Sequence, residues 1–234
     1  MNELQICDPF PIIFKKTFDF GFDENPLRKK CLDYLDLGNT FINKTKIITS
    51  EIKGGITTAG LEKTRYSNET PPHNWEEFES FKNFVYDTTE EISKIWCLNE
   101  KVDKIIARSW MNTNTKNSFV SEHAHHGSLM VVTSYLEVPE NSGKLLVKNP
   151  YNPYKFSEPV HPYYYSDVEG EDGLEWRSID VKTNDVLFFP GWLLHKTEPN
   201  LTNNDRHVMT WNIAYVPDFG KNKNVSPDLL GDYH

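Results

Sequence analysis

Histidines are concentrated in one short stretch of the sequence, where His123, His125 and His126 occur within four positions. The stretch leads directly into an apolar segment of the kind that forms β-strands. Successive strand residues point to opposite faces, so a strand through this stretch places His123 and His125 on one side and His126 on the other. Two imidazoles on one face can chelate a single ion. The pattern therefore predicts a metal site with His123 and His125 as ligands and His126 as a neighbour.

A third ligand must come from a distant part of the chain, and His195 is the candidate. It follows the apolar segment FFPGWLL, which begins at Phe188. Imidazole binds iron, zinc, copper and nickel, so these residues predict a metal site without selecting the metal. Chance clustering is the alternative, because a lone histidine is more often an ordinary partly buried residue. That interpretation is given to the other four histidines: His73, His161, His207 and His234.

Arg206 follows His195 and begins another segment with strand-like alternation. On that strand Arg206 shares one face with Val208, Thr210 and Asn212. If the face is the interior of a barrel, Arg206 is a buried guanidinium that needs an anionic partner. A dicarboxylate cosubstrate beside the metal, bound bidentately, is one such partner. The alternative is a structural salt bridge to one of the 34 acidic residues.

Three more polar residues are candidates for the same pocket. Tyr135 shares the parity of His123 and His125, so its hydroxyl is placed to reach the same carboxylate. Asn112 and Asn114 lie in the run SWMNTN before the histidine pair. Their amides are candidates for the other end of the cosubstrate, and ordinary turn chemistry is the alternative.

The elements that must position these residues are mainly β-strands. Alternation and turn signals predict strands after Trp96 over Lys104–Met111, Phe119–His125, Leu129–Val138, Lys144–Val147, Glu175–Asp180, Asp185–Phe189 and Val208–Val216. Many short strands separated by turns predict a sandwich or barrel. The long aromatic and acidic insert between two of them, residues 149–176, is typical of a lid or binding loop.

The N-terminal part has a different pattern. A short strand is predicted over Pro11–Lys16, and a helix over Pro26–Leu37 closed by Gly38. A long amphipathic helix is predicted from Trp75 to Trp96. Asn74 is its expected N-cap, with Glu77 three residues later completing a capping box. The apolar stripe of this helix must be covered, and we expect it to pack on the outer face of a sheet.

Composition narrows the function classes. The formal net charge of -9 argues against nucleic acid as a main partner, because that needs a basic face. No apolar run approaches the roughly 20 residues of a membrane helix, and the N-terminus lacks the layout of a signal peptide. The sequence has three widely spaced cysteines, Cys7, Cys31 and Cys97. They form no metal or redox motif, which favours reduced thiols in a cytoplasmic protein.

Two segments resemble the iron(II)- and 2-oxoglutarate-dependent dioxygenases of the double-stranded β-helix (jelly-roll) superfamily. They are HAHHGSLMVVTSYLEVPENSGKL and DVLFFPGWLLHKTEPNLTNNDRHVMTWNIAY. The resemblance is closest to the prolyl-hydroxylase-like branch, and within it to an uncharacterised 2OG-Fe(II) oxygenase family of marine bacteria and phages. It extends over residues 106–215 and is specific only as a combination of motifs.

The resemblance implies a role for each candidate residue. The ligands of an Fe(II) ion would be His123, His125 and His195. The distal carboxylate of 2-oxoglutarate would be bound by Arg206 and Tyr135, Thr210 would face the same pocket, and Asn112 would lie near the other end of the cosubstrate. One departure is clear. The superfamily usually has His-x-Asp or His-x-Glu where this chain has His123-x-His125, so the site has one negative charge fewer.

The resulting prediction is a single mainly β (α+β) domain, 1–234. An N-terminal helical extension (1–103) packs on one sheet of a jelly-roll core (104–218) with the insert 149–176, followed by a tail (219–234). The predicted activity is a 2-oxoglutarate-dependent dioxygenase that hydroxylates a small-molecule or peptide or amino-acid substrate with O2 and releases succinate and CO2. The alternatives are a three-histidine, cupin-type metal enzyme that does not use 2-oxoglutarate and a non-catalytic jelly-roll binding protein.

Overall fold

The computed structural model describes residues 5–6, 12–22, 26–45, 51–61, 70–98, 102–150 and 175–216. Within these ranges the helices are α1 (Pro26–Thr45) and α2 (Glu79–Ile95). In chain order the strands are β1 (Gln5–Ile6), β2 (Phe14–Thr17), β3 (Ile52–Lys53), β4 (Ile56–Thr57), β5 (Asp103–Asn114), β6 (Phe119–Val120), β7 (Met130–Glu137), β8 (Leu145–Lys148), β9 (Trp176–Ile179), β10 (Asp185–Pro190), β11 (His195–Thr197) and β12 (Arg206–Val216).

The strands form antiparallel sheets. The major sheet has the order β1-β2-β10-β7-β12-β5-β4, a minor sheet has the order β11-β8-β9, and β3 pairs with β6. The neighbours of β7, β10 and β12 come from distant parts of the sequence, as expected for a jelly roll rather than a simple meander. The prediction of a mainly β fold is therefore confirmed.

The central strand β7 separates two apolar cores. Its alternate residues Met130, Val132 and Leu136 belong to the core beneath the helices, whereas Val131 and Tyr135 belong to the core between the two sheets. Burial on both faces explains why β7 is apolar almost throughout, since neither set of side chains meets water. The inner face of the major sheet is the one that can line a cavity.

The helical layer covers the outer face of the major sheet, as the sequence predicts. Phe81, Val85 and Ile92 of α2 are buried and share a core with Met130 of β7 and Trp211 of β12. The ring of Phe81 meets that of Trp211 edge to face at 5.1 Å. Burying each such side chain contributes roughly 1.5–3 kcal/mol, so the apolar stripe of α2 fixes the sheet from behind.

The predicted start of this helix is wrong. α2 begins at Glu79, and Trp75 is extended (φ -81°, ψ 140°) between two short 3-10 turns, without a side-chain cap from Asn74. The buried ring of Trp75 packs against Tyr34 and Phe78, and its indole nitrogen donates to Thr70 O at 2.7 Å. Packing and hydrogen bonding of Trp75 therefore outweigh the local capping signal.

Gly38 also does not end its helix, because α1 continues to Thr45. A Cβ at Gly38 would collide with the carbonyl oxygen of Thr57 in β4. The glycine is therefore required for the close approach of a helix and a strand, and it stays in a helical interior where it costs about 1 kcal/mol relative to alanine.

Two predictions lie outside the described residues. Most of the insert 149–176, with its predicted lid, falls within 151–174, and the tail 219–234 lies within 217–234. No helix in the ranges given above is both long and apolar enough to cross a membrane.

Candidate metal centre

The three predicted ligands meet at one end of the inner face of the major sheet. The backbones of His123 and His195 form a reciprocal pair, in which each amide donates to the other carbonyl at 3.0 Å. The amide of His125 donates to Gly191 O at 2.8 Å. These bonds hold the histidine-rich segment against the segment that carries β11, so residues seventy positions apart in the chain share one site.

The predicted strand over Phe119–His125 is only partly present. β6 ends at Val120, His123 forms an isolated bridge, and residues 126–127 turn. The three imidazoles converge because two segments pair across the site, and strand parity alone does not produce the arrangement. His126 is exposed and lies outside the group formed by the other three histidines.

Hydrogen bonds orient all three imidazoles in the same sense. The Nδ1 atoms of His123 and His195 contact the backbone oxygens of Ser121 and Leu193, each at 2.9 Å. Carbonyl oxygens accept only, so these Nδ1 atoms carry the proton and donate it. The Nδ1 of His125 donates in the same way to Asn212 Oδ1 at 2.8 Å. Each ring therefore keeps an unprotonated Nε2.

The Nε2 atoms turn towards one another. Those of His123 and His125 are 3.2 Å apart, and the candidate nitrogens of all three residues lie within 4.8 Å of one another. Facing lone pairs at this distance repel unless a cation lies between them. The donor set of three neutral imidazoles suits iron as well as zinc, copper or nickel. The residues present therefore fit a divalent metal ion.

Burial keeps these imidazoles neutral. Desolvation, followed by the neighbouring charge of His123, lowers the pKa of His125 from 6.5 to about 4. Desolvation also lowers the pKa of His195 well below its usual value and lowers that of His123. Neutral imidazole is the metal-binding form, so the site stays ready for an ion at pH values where exposed histidines are protonated.

The depressed pKa of His125 predicts a pH-dependent stability of the iron-free protein. In the unfolded chain His125 is protonated below about pH 6.5, whereas in the folded chain it is protonated only below about pH 4. The free energy of unfolding is therefore highest above pH 6.5 and falls as the pH is lowered to 4. At 1.36 kcal/mol per pKa unit the loss is about 3 kcal/mol. Urea unfolding at pH 7 and pH 4.5 should show a smaller loss for His125→Gln than for wild type, while exposed His126→Gln should behave as wild type. Identical losses in all three proteins would contradict it.

The group formed by His123, His125 and His195, called the metal group below, lies at one end of a cavity of about 230 Å³. One wall is the inner face of β12, with Arg206, Val208, Thr210 and Asn212. This is the face that the alternation of the sequence predicts. The neighbouring strand β5, which runs on to Asn114 instead of ending at Met111, supplies the next row of side chains.

Arg206 is a buried cation at the other end of the cavity. It is 1% exposed, and it donates from Nη1 to Gly143 O at 2.6 Å and from Nη2 to Asn114 Oδ1 at 3.2 Å. Its Nε has no partner, and no acidic side chain in the described ranges forms an ion pair with it. Glu198 lies near enough to oppose the lowering of the pKa of Arg206 by burial, but it is not within ion-pair distance. The described residues therefore give the salt-bridge alternative no paired carboxylate, and a buried guanidinium without one is a site for an anion.

The turn before β8 supplies a hydrogen-bond acceptor for this arginine, the carbonyl oxygen of Gly143. Gly143 adopts φ +93°, and a Cβ there would collide with Glu198 O at 2.6 Å. The glycine therefore allows close packing of two loops and aims its own carbonyl at Arg206. This explains in physical terms the SGKL turn that the sequence places between two strands.

The remaining predicted residues line the same cavity: Tyr135, Thr210, Asn112 and Asn114. Burial raises the pKa of Tyr135, although the nearby Arg206 opposes the rise, so the phenol stays neutral and able to donate. The Asn112 Oδ1 and Asn114 Nδ2 atoms are buried without partners among the described residues. A buried polar atom without a hydrogen bond lowers the stability of the fold by about 1–3 kcal/mol. A polar ligand in the cavity that bonds to these atoms would remove that cost.

Three residues at the site carry roles that the sequence analysis did not assign. Asn212 Oδ1 accepts a hydrogen bond from His125 Nδ1, and Trp110 stacks on the same ring with centroids 5.5 Å apart. Arg108 lines the cavity beside them. The parity of β12 already places Asn212 on the face of Arg206. Nothing in the sequence pairs it with His125, because the two lie 87 positions apart.

Replacing Asn212 should weaken metal binding. Asn212→Leu removes the acceptor that fixes the Nδ1 proton of His125, and loss of such a partner lowers metal affinity about 10–100-fold. Asn212→Asp keeps the acceptor and adds a negative charge, so it should bind metal at least as tightly as wild type. Competition with a chromogenic chelator measures both. Equal affinities for Asn212→Leu and wild type would show that the bond does not position His125.

The architecture is similar to that of solved structures. One is a prolyl-4-hydroxylase from Pseudomonas putida, with TM-score 0.52, 11% identity, and 86% of this chain and 92% of that chain covered. The fold is therefore the jelly roll of the 2OG-Fe(II) oxygenases, as predicted. The three histidines and the buried arginine line its interior cavity.

Part of the sequence matches a family model. Residues 108–212 match the model described as "Putative 2OG-Fe(II) oxygenase". The matched segment contains the three histidines, Tyr135 and Arg206, and it excludes the helical layer. The match covers a little under half of the chain, and the fold agrees with it. The sequence matches no curated protein.

Two further structures are similar. An oxidoreductase of the 2OG-Fe(II) oxygenase family from Burkholderia pseudomallei has 16% identity and TM-score 0.41, with 60% of this chain and 59% of that chain covered. A prolyl hydroxylase from Trichoplax adhaerens, in complex with a hypoxia inducible factor peptide fragment, has 12% identity and TM-score 0.47, with 87% and 83% covered.

Proposed function

We propose that this protein is an Fe(II)- and 2-oxoglutarate-dependent dioxygenase that hydroxylates an organic substrate. In the balanced reaction one oxygen atom of O2 enters the substrate as a hydroxyl group and the other enters succinate, while 2-oxoglutarate loses CO2. The single observation that carries the proposal is the shared cavity. It joins three imidazoles that face one another at one end to a buried Arg206 at the other, which forms no ion pair with any carboxylate of the described residues.

The geometry of the three histidines supports their proposed role as metal ligands. Fe(II) would be held by His123, His125 and His195, and when bound it supplies the oxygen chemistry. The protein positions the imidazoles through their Nδ1 bonds and keeps them neutral through burial.

The cosubstrate would be bound through its polar ends. Arg206 would form a bidentate pair with the distal carboxylate, and Tyr135 would donate a hydrogen bond to the same group. Asn112 and Thr210 line the path from this carboxylate to the histidines. No side chain is needed as a general base, because the reaction removes hydrogen from carbon without an ionised intermediate on the protein.

One observation favours a second candidate, a three-histidine metal enzyme without 2-oxoglutarate. The metal group contains no carboxylate among the described residues, so its charge differs from that of the usual two-histidine, one-carboxylate triad. The buried Arg206 argues against this candidate, because it would then have no anion to bind.

Free thiols at Cys31 and Cys97 support a cytoplasmic location as part of the main proposal.

A succinate assay tests the proposal. Iron-loaded protein with 2-oxoglutarate and O2 is screened against peptides, amino acids and nucleobases, with His195→Ala as the blank. We expect at least one substrate class to raise succinate release above the substrate-free rate in wild type only. Metal-dependent conversion of a substrate without any need for 2-oxoglutarate would favour the second candidate instead.

A further inference from the structure

A buried amide lies beside Arg206 at the end of the cavity away from the metal group. It belongs to Asn114, the last residue of β5, which is 1% exposed and pairs with Arg206 across the two long strands. Both residues line the cavity. The sequence makes Asn114 a candidate for the other end of the cosubstrate, whereas in the structure its side chain contacts the arginine.

The chemistry of the guanidinium fixes the orientation of this amide. Arg206 Nη2 donates to Asn114 Oδ1 at 3.2 Å. A guanidinium has donors only, so the oxygen of the amide, and not its nitrogen, must face it. The Nδ2 atom of Asn114 is then left as a donor, and it is buried without a hydrogen-bond partner among the described residues.

A second buried asparagine holds the backbone of Asn114. Asn200 is fully buried, and its Nδ2 donates to Asn114 O and to Asn204 O, each at 2.8 Å. Its Oδ1 accepts from the amide of Thr202 at 2.9 Å. Asn200 therefore ties the end of β5 to the loop that precedes β12. The amide of Asn114 is positioned by the fold before any ligand arrives.

The groups left without partners at this end of the cavity are donors. They are the Nε of Arg206 and the Nδ2 of Asn114, both buried. The carboxylate of Glu198 accepts from the amide of Lys144 at 2.7 Å, and it forms no ion pair with Arg206 in the part of the chain that the structure describes. Buried donors need acceptors, and a carboxylate offers two oxygens with several lone pairs. An anionic ligand therefore suits the arginine and the amide together.

We propose that Asn114 binds the distal carboxylate of 2-oxoglutarate through Nδ2 and, through Oδ1, positions Arg206 for the same carboxylate. This inference rests on the proposed function, because it concerns the cosubstrate of the same cavity. One amide then accepts a hydrogen bond from the cation and donates another to the anion. The distal carboxylate is bound by Arg206 and Asn114 as a unit.

Replacement of Asn114 with aspartate has two effects of opposite sign. A carboxylate at this position still accepts from Arg206 and pairs with its charge, so the melting temperature of the apo protein should rise. The same carboxylate removes the Nδ2 donor and repels the carboxylate of the ligand. We expect Asn114→Asp to lower the affinity for 2-oxoglutarate by roughly a hundredfold or more. Calorimetric titration of Mn(II)-loaded protein and a melting curve of apo protein measure the two effects.

A leucine at position 114 removes both hydrogen bonds at similar volume. Asn114→Leu should lower the affinity for 2-oxoglutarate by about tenfold or more, which is less than the effect of Asn114→Asp. Both variants should bind Mn(II) as wild type does, because Asn114 is not part of the metal group. The matched control is Asn203→Ala, which removes an exposed asparagine that does not line this cavity and should leave the affinity for 2-oxoglutarate unchanged.

A purely structural Asn114 would give a different pattern, in which the substitutions change the melting temperature and leave the affinity for 2-oxoglutarate as it is. The inference is overturned if either Asn114 variant binds 2-oxoglutarate as tightly as wild type. It is also overturned if Asn114→Asp loses affinity while its melting temperature falls, because the loss is then structural. If Asn114→Leu does not fold, Asn114→Asp decides alone.

Wild-type protein in the same titrations separates this inference from the proposed function. Tight binding of 2-oxoglutarate by wild type, with equal affinity in the Asn114 variants, would overturn only the role of Asn114. Failure of metal-loaded wild type to bind 2-oxoglutarate would overturn the proposed function and this inference together.

Discussion

Replacing His195 with alanine should abolish stoichiometric iron binding. His195 is 6% exposed, and its Nδ1 proton is held by Leu193 O, so its Nε2 is available for an ion. The substitution leaves His123 and His125 as a two-nitrogen site. Loss of a partner that only orients a ligand lowers metal affinity about 10–100-fold, and loss of the ligand itself should exceed that. Elemental analysis of protein reconstituted anaerobically with Fe(II) measures the effect.

His126→Ala is the matched control for this experiment. His126 is next to His125 in sequence, but it is exposed and lies outside the metal group. Its removal should leave the iron content unchanged, whereas His125→Ala should lower it as His195→Ala does. Full iron retention in His195→Ala, or an iron loss in His126→Ala with none in His125→Ala, would show that the ligands are assigned wrongly.

Replacing Arg206 with alanine should raise the dissociation constant of 2-oxoglutarate by roughly tenfold to a thousandfold or more. The guanidinium is buried, lacks an acidic partner among the described residues, and has an unpaired Nε beside the cavity. Truncating one partner of a buried charged pair costs about 2–5 kcal/mol, which gives that range. Calorimetric titration of Mn(II)-substituted protein measures the change.

Two further measurements distinguish cosubstrate binding by Arg206 from a purely structural role. Arg206→Lys keeps the charge without the planar fork, so it should recover only part of the affinity. Iron content should survive in both variants, because Arg206 is not a ligand. A purely structural arginine predicts the reverse pattern, in which Arg206→Ala lowers the melting temperature of the apo protein and leaves the 2-oxoglutarate affinity nearly unchanged.

The parity of β12 was predictable from the sequence because its own residues alternate regularly between the two faces. Arg206, Val208, Thr210 and Asn212 all line the cavity, although the pairing with β7 shifts between His207 and Val208 and that with β5 shifts after Asn212. The amphipathic stripe of α2 was predictable for the same reason, since Phe81, Val85 and Ile92 recur at helical spacing.

Other features depend on contacts that no local pattern contains. The helix start after Asn74 was predicted wrongly because burial of Trp75 decides the backbone there. Gly38 was predicted to end α1 because a helical glycine is unusual, and its reason, a carbonyl of Thr57 at close range, lies across the fold. The bond between His125 and Asn212 likewise joins segments that only the folded sheet brings together.

The histidine pair shows how a partly wrong premise led to a useful prediction. The sequence pattern predicts His123 and His125 on one strand, whereas in the structure His123 pairs with His195 in an isolated bridge. Both arrangements direct alternate side chains to one side, so the predicted set of three residues comes together in either case. Their role as iron ligands stays a prediction that metal analysis must decide.

Iron and 2-oxoglutarate should bind together in one cavity, and an anaerobic titration of 2-oxoglutarate measures this. The titration is performed on the same preparation with and without Fe(II). We expect saturable binding to one site that is at least about tenfold tighter with Fe(II), because metal and Arg206 would then hold the two ends of one molecule. Equal affinity in the two samples, or no binding to protein with a full complement of iron, would contradict it.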